Sequence, residues 1–321
     1  MLLAAPAHKG GAAMFFSYKT VDDKLVYTDT IEKNCWVNMI NPTEAELRQV
    51  AEATGLEYDF LKDPLDDEEI PRVEVEEDQV LIIINIPIIC KEDVIYDTIP
   101  LGIILNDDYL VTTCLEDANL LGEFTSTRNK SIATFKKTRF IFQLFHKKTN
   151  LFLKYLRDIH RRNTELEASL RGSMRNTELM QLMSLQKSLV YFSTGLRANA
   201  KVLERLLRGK TIKMYEEDED LLEDVIIVNR QAVEMSDVYS NISSGTMTAF
   251  ASLISNNLSN VMRLLTAITI ILAIPTMIAS FWGMNVNVPL GNSIWGFPLI
   301  LSGATIACSI CAWLLKKKGM L

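Results

Sequence analysis

"SFWGMNVNVPLGNSIWGF", residues 280–297, holds no acidic or basic residue, in a chain of which 23% is charged. The uncharged sequence runs on in both directions. Leu264 to Phe281 and Ile294 to Leu315 each lack Asp, Glu, Lys and Arg. At 1.5 Å per helical residue both are near the length that crosses roughly 30 Å of hydrocarbon. Residues 263–285 and 294–315 are therefore expected as transmembrane helices, joined by a short extracytoplasmic loop over 286–293. The alternative is a pair of buried helices in a soluble core, which rarely reach this length without a charge.

Arg263 precedes the first span, and Lys316, Lys317 and Lys318 follow the second, in the basic tail 316–321. The loop between the spans has no basic residue, which places both termini in the cytoplasm. The formal charge is −7 overall, but residues 263–321 carry only those four cations, so the preceding residues hold the acidic excess. The first 13 residues lack the pattern of a signal peptide and are expected to be an extension, with the natural start near Met14. The expected location is the cell membrane, with two passes. Cys35, Cys90, Cys114, Cys308 and Cys311 are dispersed and read as small apolar residues of a reducing compartment. None of the three histidines lies near Cys308 and Cys311, so no metal site is expected there.

Residues 14–132 have mixed patterning and are expected to form a cytoplasmic α/β sandwich. The β-rich runs are "CWVNMI", "QVLIIINIPII", "LGIIL" and "YLVTTC", and "NPTEAELRQVAEATG" signals a helix. Thr43 and Glu46 are spaced for a capping box, with Gly55 as the stop. Val80 to Ile89 is too continuously apolar for a sheet with one wet face, so that strand is expected to be covered on both sides. Residues 133–218 read as a helical region with interruptions around "RGSMRN" and "RGKTIKMYEEDED". A stalk helix is expected over 219–262, where Val225, Val228, Ala232, Met235, Tyr239, Ile242, Ala249 and Leu253 recur at three and four residue steps, as in a coiled-coil seam. Continued into the first span it measures on the order of 100 Å. The alternative is a shorter helix, a loop near "SNISSGT" and a separate membrane helix.

The chain shows no Walker loop, no dinucleotide fingerprint and no nucleophile with an evident partner. It is not expected to be an enzyme or to bind nucleotide or nucleic acid. Two spans cannot enclose a polar pathway, because lipid-facing surfaces must stay apolar and backbone groups must be paired inside helices. Transport would need a homo-oligomer. Counting back from Asn285 at helical steps gives Thr276, Ala273, Thr269, Leu265 and Met262 as a stripe, with Ser280 and Thr266 adding hydroxyls. The competing reading is that these threonines bond their own helix carbonyls.

"TMIASFWGMN", followed closely by a second span and a terminal "KKK", resembles the signature of the CorA family of divalent cation transporters. The match extends through "SNNLSNVMRLLT" and, more loosely, to "DPLDDEEIPRVEVEEDQV", and covers the chain from about residue 14. The resemblance implies an α+β membrane protein assembled as a homopentamer. Its cytoplasmic α/β/α sandwich is followed by a long stalk helix that continues into the pore-lining first span. It implies inward movement of Mg2+ down its electrochemical gradient, with passage of Co2+ or Ni2+ allowed and gating by intracellular Mg2+. Gly283, Met284 and Asn285 would form the selectivity filter. Met262 and Leu265 match the apolar constriction. A zinc transporter of the ZntB branch, or a membrane-anchored sensor that moves no ion, are the alternatives.

The regulatory site implied by the resemblance uses carboxylates at subunit interfaces. Asp224 in "LLEDV" matches the stalk position, and Glu92 and Asp93 in "KEDV" are the nearest candidates on the sandwich, since the equivalent position is Cys90. The run Glu216 to Asp220 and the cluster Asp66 to Glu69 are expected to serve a helix dipole and a solvated face instead. Many family members carry a glutamate shortly after Gly-Met-Asn; "VNVPLGNS" has no acid, so the anionic enrichment of cations at the mouth is expected to be weaker.

Overall fold

The structure, a computed structural model, describes residues 15–22, 24–90, 95–117, 133–172, 176–209, 211–284 and 295–319. The extension 1–13, the Glu92–Asp93 pair, Asn285 and the loop 286–293 lie outside the described residues. Contacts divide the chain at Gly245 and Thr246 into two compact units.

The first unit is built on a seven-stranded sheet in the order β2-β1-β3-β7-β6-β5-β4. The strands are β1 Phe15–Val21, β2 Lys24–Thr28, β3 Trp36–Ile40, β4 Arg72–Glu76, β5 Gln79–Ile89, β6 Tyr96–Leu105 and β7 Leu110–Cys114. Neighbours are antiparallel except β3 and β7, which run parallel with Trp36 opposite Leu110. The helices are α1 Glu44–Thr54, α2 Tyr58–Lys62, α3 Lys137–Gly172, α4 Asn176–Gly209, α5 Glu216–Trp282 and α6 Gly296–Lys317.

β5 explains the layering. Its side chains alternate between two faces, and both sets are apolar. Leu81 and Ile83 join a core with Leu47 and Val50 of α1 and Phe60 and Leu61 of α2. Ile82, Ile84 and Ile86 join a second core with Phe140 and Phe145 of α3, Leu203 and Leu206 of α4, and Leu222 and Val225 of α5. The sheet is thus covered by helices on each side. Gly102 of β6 permits the close approach on the first side, since a Cβ there would stand 2.1 Å from Cγ of Pro64.

The capping box forms as its spacing predicts: Glu46 N–H donates to Thr43 Oγ1 at 3.4 Å, and Thr43 N–H donates to Glu46 Oε2 at 2.8 Å. Gly55 takes the left-handed conformation that ends α1. Strands β1, β2 and β4 carry too many polar residues for the apolar runs to reveal. In β4, Val73 is buried while Val75 is exposed, as suits an edge strand.

β5 runs on past Ile83, where β4 stops at Arg72. There Asn199 of α4 takes the place of a strand: its Oδ1 accepts from Asn85 N–H at 2.8 Å and its Nδ2 donates to Asn85 C=O at 2.7 Å. Asn85 therefore turns its backbone away from Pro100, its partner on β6, and the missing proline N–H is not needed.

The helix α5 is continuous through "SNISSGT" and spans 67 residues. Its buried stripe in the first unit is Leu222, Val225, Asn229, Ala232, Ser236 and Ser243. This corrects the apolar seam: Met235 and Tyr239 border the helical core, while Ile242 is 44% exposed. The polar members face α4. Asn229 Nδ2 donates to Leu196 C=O at 3.0 Å, Ser236 Oγ to Leu189 C=O at 3.1 Å, and Gln186 Nε2 to Ser244 Oγ at 2.8 Å. As α5 advances seven residues α4 retreats seven, so the packing is antiparallel and within one chain.

Candidate functional site

In the second unit the remainder of α5 meets α6, which is long and apolar enough to cross a membrane, as is α5. Between Val261 and Trp282 the residues of α5 that lose exposure are Ala267, Ile271, Ile274, Pro275, Ile278 and Trp282. On α6 they are Gly296, Ile300, Ala304, Ala307, Cys308, Cys311, Ala312 and Leu315. The covered stripe of α6 is made mostly of small residues, whereas that of α5 is bulky except at Ala267.

The sequence-expected stripe falls on the other side. Met262, Leu265, Thr269, Ala273, Thr276 and Ser280 are all exposed. At 100° per residue their mean direction lies roughly 180° from that of the covered residues. α6 thus leaves one continuous face of α5 open. The threonine hydroxyls do not project from it as free donors: Thr269 Oγ1 donates to Leu265 C=O at 2.8 Å, Thr276 Oγ1 to Leu272 C=O at 2.9 Å, and Thr266 Oγ1 to Met262 C=O at 2.8 Å. Each hydroxyl oxygen still has a lone pair to offer.

At the top of the stripe Gly283 N–H donates to Ala279 C=O at 2.9 Å, closing the last turn of α5. Met284 follows with 53% exposure, and neither residue is packed beneath the helix end. The third residue of the tripeptide, Asn285, lies outside the described residues.

Asp224 is exposed on α5, one residue before the buried Val225. Among the described residues no group of three or more His, Cys, Asp or Glu side chains gathers to hold a metal ion. Cys90 lies partly buried against the core, its N–H donating to Ile95 C=O at 3.1 Å.

The other acidic runs have structural employment. Asp218 Oδ2 accepts from Tyr215 N–H at 3.1 Å at the start of α5, and Glu217 pairs with Arg139 at 2.5 Å. Arg72 gathers Asp63 at 2.6 Å, Glu69 at 2.5 Å and Glu74 at 3.0 Å. A further charged node lies apart from these runs: Asp158 accepts from the hydroxyl of Tyr96 and from Arg161 and Arg162. Those bonds, Tyr96 first, hold the carboxyl below its ordinary range, while burial and then Asp158 push the Tyr96 phenol up to about 12.

The geometry is that of an α/β unit continued by a long helix, with one further apolar helix covering a single face of that helix. The CorA-like Mg2+ transporter family model matches residues 32–317. The chain belongs to the CorA family. A curated CorA relative, the cobalt/magnesium transport protein of Methanocaldococcus jannaschii, is 30% identical over 294 residues, covering 88% of this chain and 90% of that protein. The complete CorA structure from the same organism superposes with a TM-score of 0.83 at 26% identity, over 97% of this chain and 99% of that one. The cytoplasmic domain of ZntB from Vibrio parahaemolyticus matches with a TM-score of 0.59 at 14% identity, over 78% of this chain and 99% of that one. That last likeness is one of fold alone. As a CorA family member the chain is a divalent cation transporter rather than an enzyme of known type.

Two features are not marked by apolar spacing. Asn229 and Ser236, seven residues apart, tie α5 to α4 within the first unit through polar side chains. Cys308 contacts the backbone of α5, a role its apolar surroundings concealed.

Proposed function

We propose that the chain conducts Mg2+ into the cell as a homopentamer, with both termini cytoplasmic and the open face of α5 lining the path. The observation that carries this reading is the unbroken stripe Met262–Ser280 on the side of α5 that α6 does not cover. Five such faces around an axis would supply threonine and serine oxygens, with backbone groups satisfied inside the helices. Magnesium releases its water reluctantly, so the neutral amide of Asn285 and the carbonyl of Gly283 would receive the ion with its first water shell kept. Met284 would pack beside them. Met262 and Leu265 would form the apolar collar that stops ions by dewetting.

An inside-negative potential of 100 mV drives a divalent cation inward by about 4.6 kcal/mol, twice the single-charge value, so no nucleotide is needed. Cytoplasmic Mg2+ at Asp224, with Glu92 and Asp93 of a neighbouring copy, would hold the closed state. Co2+ and Ni2+ fit the same oxygen-lined path.

The test is ion uptake into proteoliposomes holding the full chain, with oligomeric state read by native mass spectrometry. Asn285→Ala is expected to abolish Mg2+ uptake with the pentamer intact. Uptake that survives this change removes Asn285 from the filter. Preference for Zn2+ over Mg2+ would favour the ZntB reading, and no uptake of any divalent ion would favour the sensor.

A further inference from the structure

Pro275 lies inside α5 and has no N–H to give to the carbonyl of Ile271, four residues back. In hydrocarbon that oxygen has no water as a substitute, so leaving it bare is costly. Opposite it, Cys308 of α6 brings Sγ to 3.6 Å from the Ile271 carbonyl oxygen, with the thiol as donor. The neighbouring hydroxyls behave differently. Thr305 donates to Leu301 C=O and Ser309 to Thr305 C=O, both on their own helix. Cys308 instead reaches across to the carbonyl that the proline leaves without its usual partner.

We propose that Cys308 is a positioning residue for ion conduction: its thiol replaces the missing amide of Pro275 and ties α6 to the proline break in α5. A thiol suits the place because it is small enough for a close helix contact and still carries a donor. The tie fixes which side of α5 faces α6, and therefore which side is left open. Ala267 and Ala304, both buried, let the helices approach around it. The inference rests on the reading that the Met262–Ser280 face lines the ion path, and adds a residue on the other helix that orients it.

The experiment compares full-length variants in proteoliposomes. Cys308→Ala is expected to slow Mg2+ uptake by about fivefold, the scale of one modest hydrogen bond, and Cys308→Ser, which keeps a donor, to stay within about twofold of the parent. In a Pro275→Ala background the restored amide takes the Ile271 carbonyl, and adding Cys308→Ala then changes uptake no further. Equal losses from Cys308→Ala in both backgrounds, or a serine variant as slow as the alanine one, overturn the proposal.

The thiol S–H stretch, isolated as the infrared difference between parent and Cys308→Ala, gives a readout independent of transport. It is expected at the hydrogen-bonded position in the parent and to shift upward when Pro275→Ala is introduced. A free S–H band in the parent overturns the tie whatever the uptake. A bonded band with uptake indifferent to Cys308→Ala overturns the positioning role. If Asn285→Ala also leaves uptake unchanged, the fault lies with the path itself.

Discussion

The two stretches of α5 divide one helix between different environments. From Glu216 to Gly245 a stripe of it is buried by its own chain, through Val225, Ala232 and Ser236, with side-chain bonds to the backbone of α4. From Thr246 to Trp282 few residues are buried, and the most apolar window is 6% buried. The lower stretch is finished within one subunit. The upper stretch leaves one face uncovered by its own chain, the face that under the proposed function hydrocarbon and other copies would complete. Stability should therefore respond to substitutions in the first region, and transport to substitutions in the second.

The hardest trial of that division is Phe192→Ala, which empties the packing among Tyr96, Phe152 and Phe192. It is expected to cost about 3–5 kcal/mol in urea unfolding of the first unit. A loss below about 1 kcal/mol would mean the helical core is far looser than its burial implies.

Next comes Asn199→Ala, which strips both partners from the Asn85 backbone at the free edge of β5. An expected cost of about 1–3 kcal/mol follows from stranding a part-buried donor and acceptor. Equal stability of Asn199→Ala and the parent would show that water reaches the edge freely.

Asp158 gives a pH test. Its folded pKa lies below the unfolded value, because Tyr96, Arg161 and Arg162 bond to the charged form. The stabilisation is present above the ordinary carboxylate range and disappears as pH falls through the depressed folded value. Asp158→Asn is expected to lower the thermal midpoint at neutral pH and to match the parent in strong acid. A difference that stays constant down to acid pH would rule out the ionised carboxylate as its source.

The smallest stability effect is expected from Leu265→Asn on the open face of α5, within about 0.5 kcal/mol, as for other substitutions away from packed features. Its effect should appear as Mg2+ leak through the closed state, measured by uptake at high internal Mg2+. A large loss of stability with unchanged leak would place Leu265 in a packed contact instead of the path.

Much of this architecture was legible before any coordinates. Uncharged runs, the capping box around Thr43 and the span of β5 follow from local rules, because each depends on residues close together in the chain. The stripe Met262–Ser280 was equally legible, since helical spacing alone puts those residues on one side. The edge strands β2 and β4, and β1 beside β2, were not, because mixed polar sequences become strands only when a neighbour supplies their hydrogen bonds.

By itself, then, the sequence determined which segments are long and apolar enough to cross a membrane and which side of α5 is regular enough to serve as a surface. Only the tertiary structure decided that α6 covers the opposite side, that Asn199 closes the edge of β5 and that Cys308 answers for Pro275. The physical reason is that hydrophobicity and helical period are properties of neighbouring residues. A buried polar atom is tolerated only where a distant partner meets it, and that meeting is settled when the elements pack.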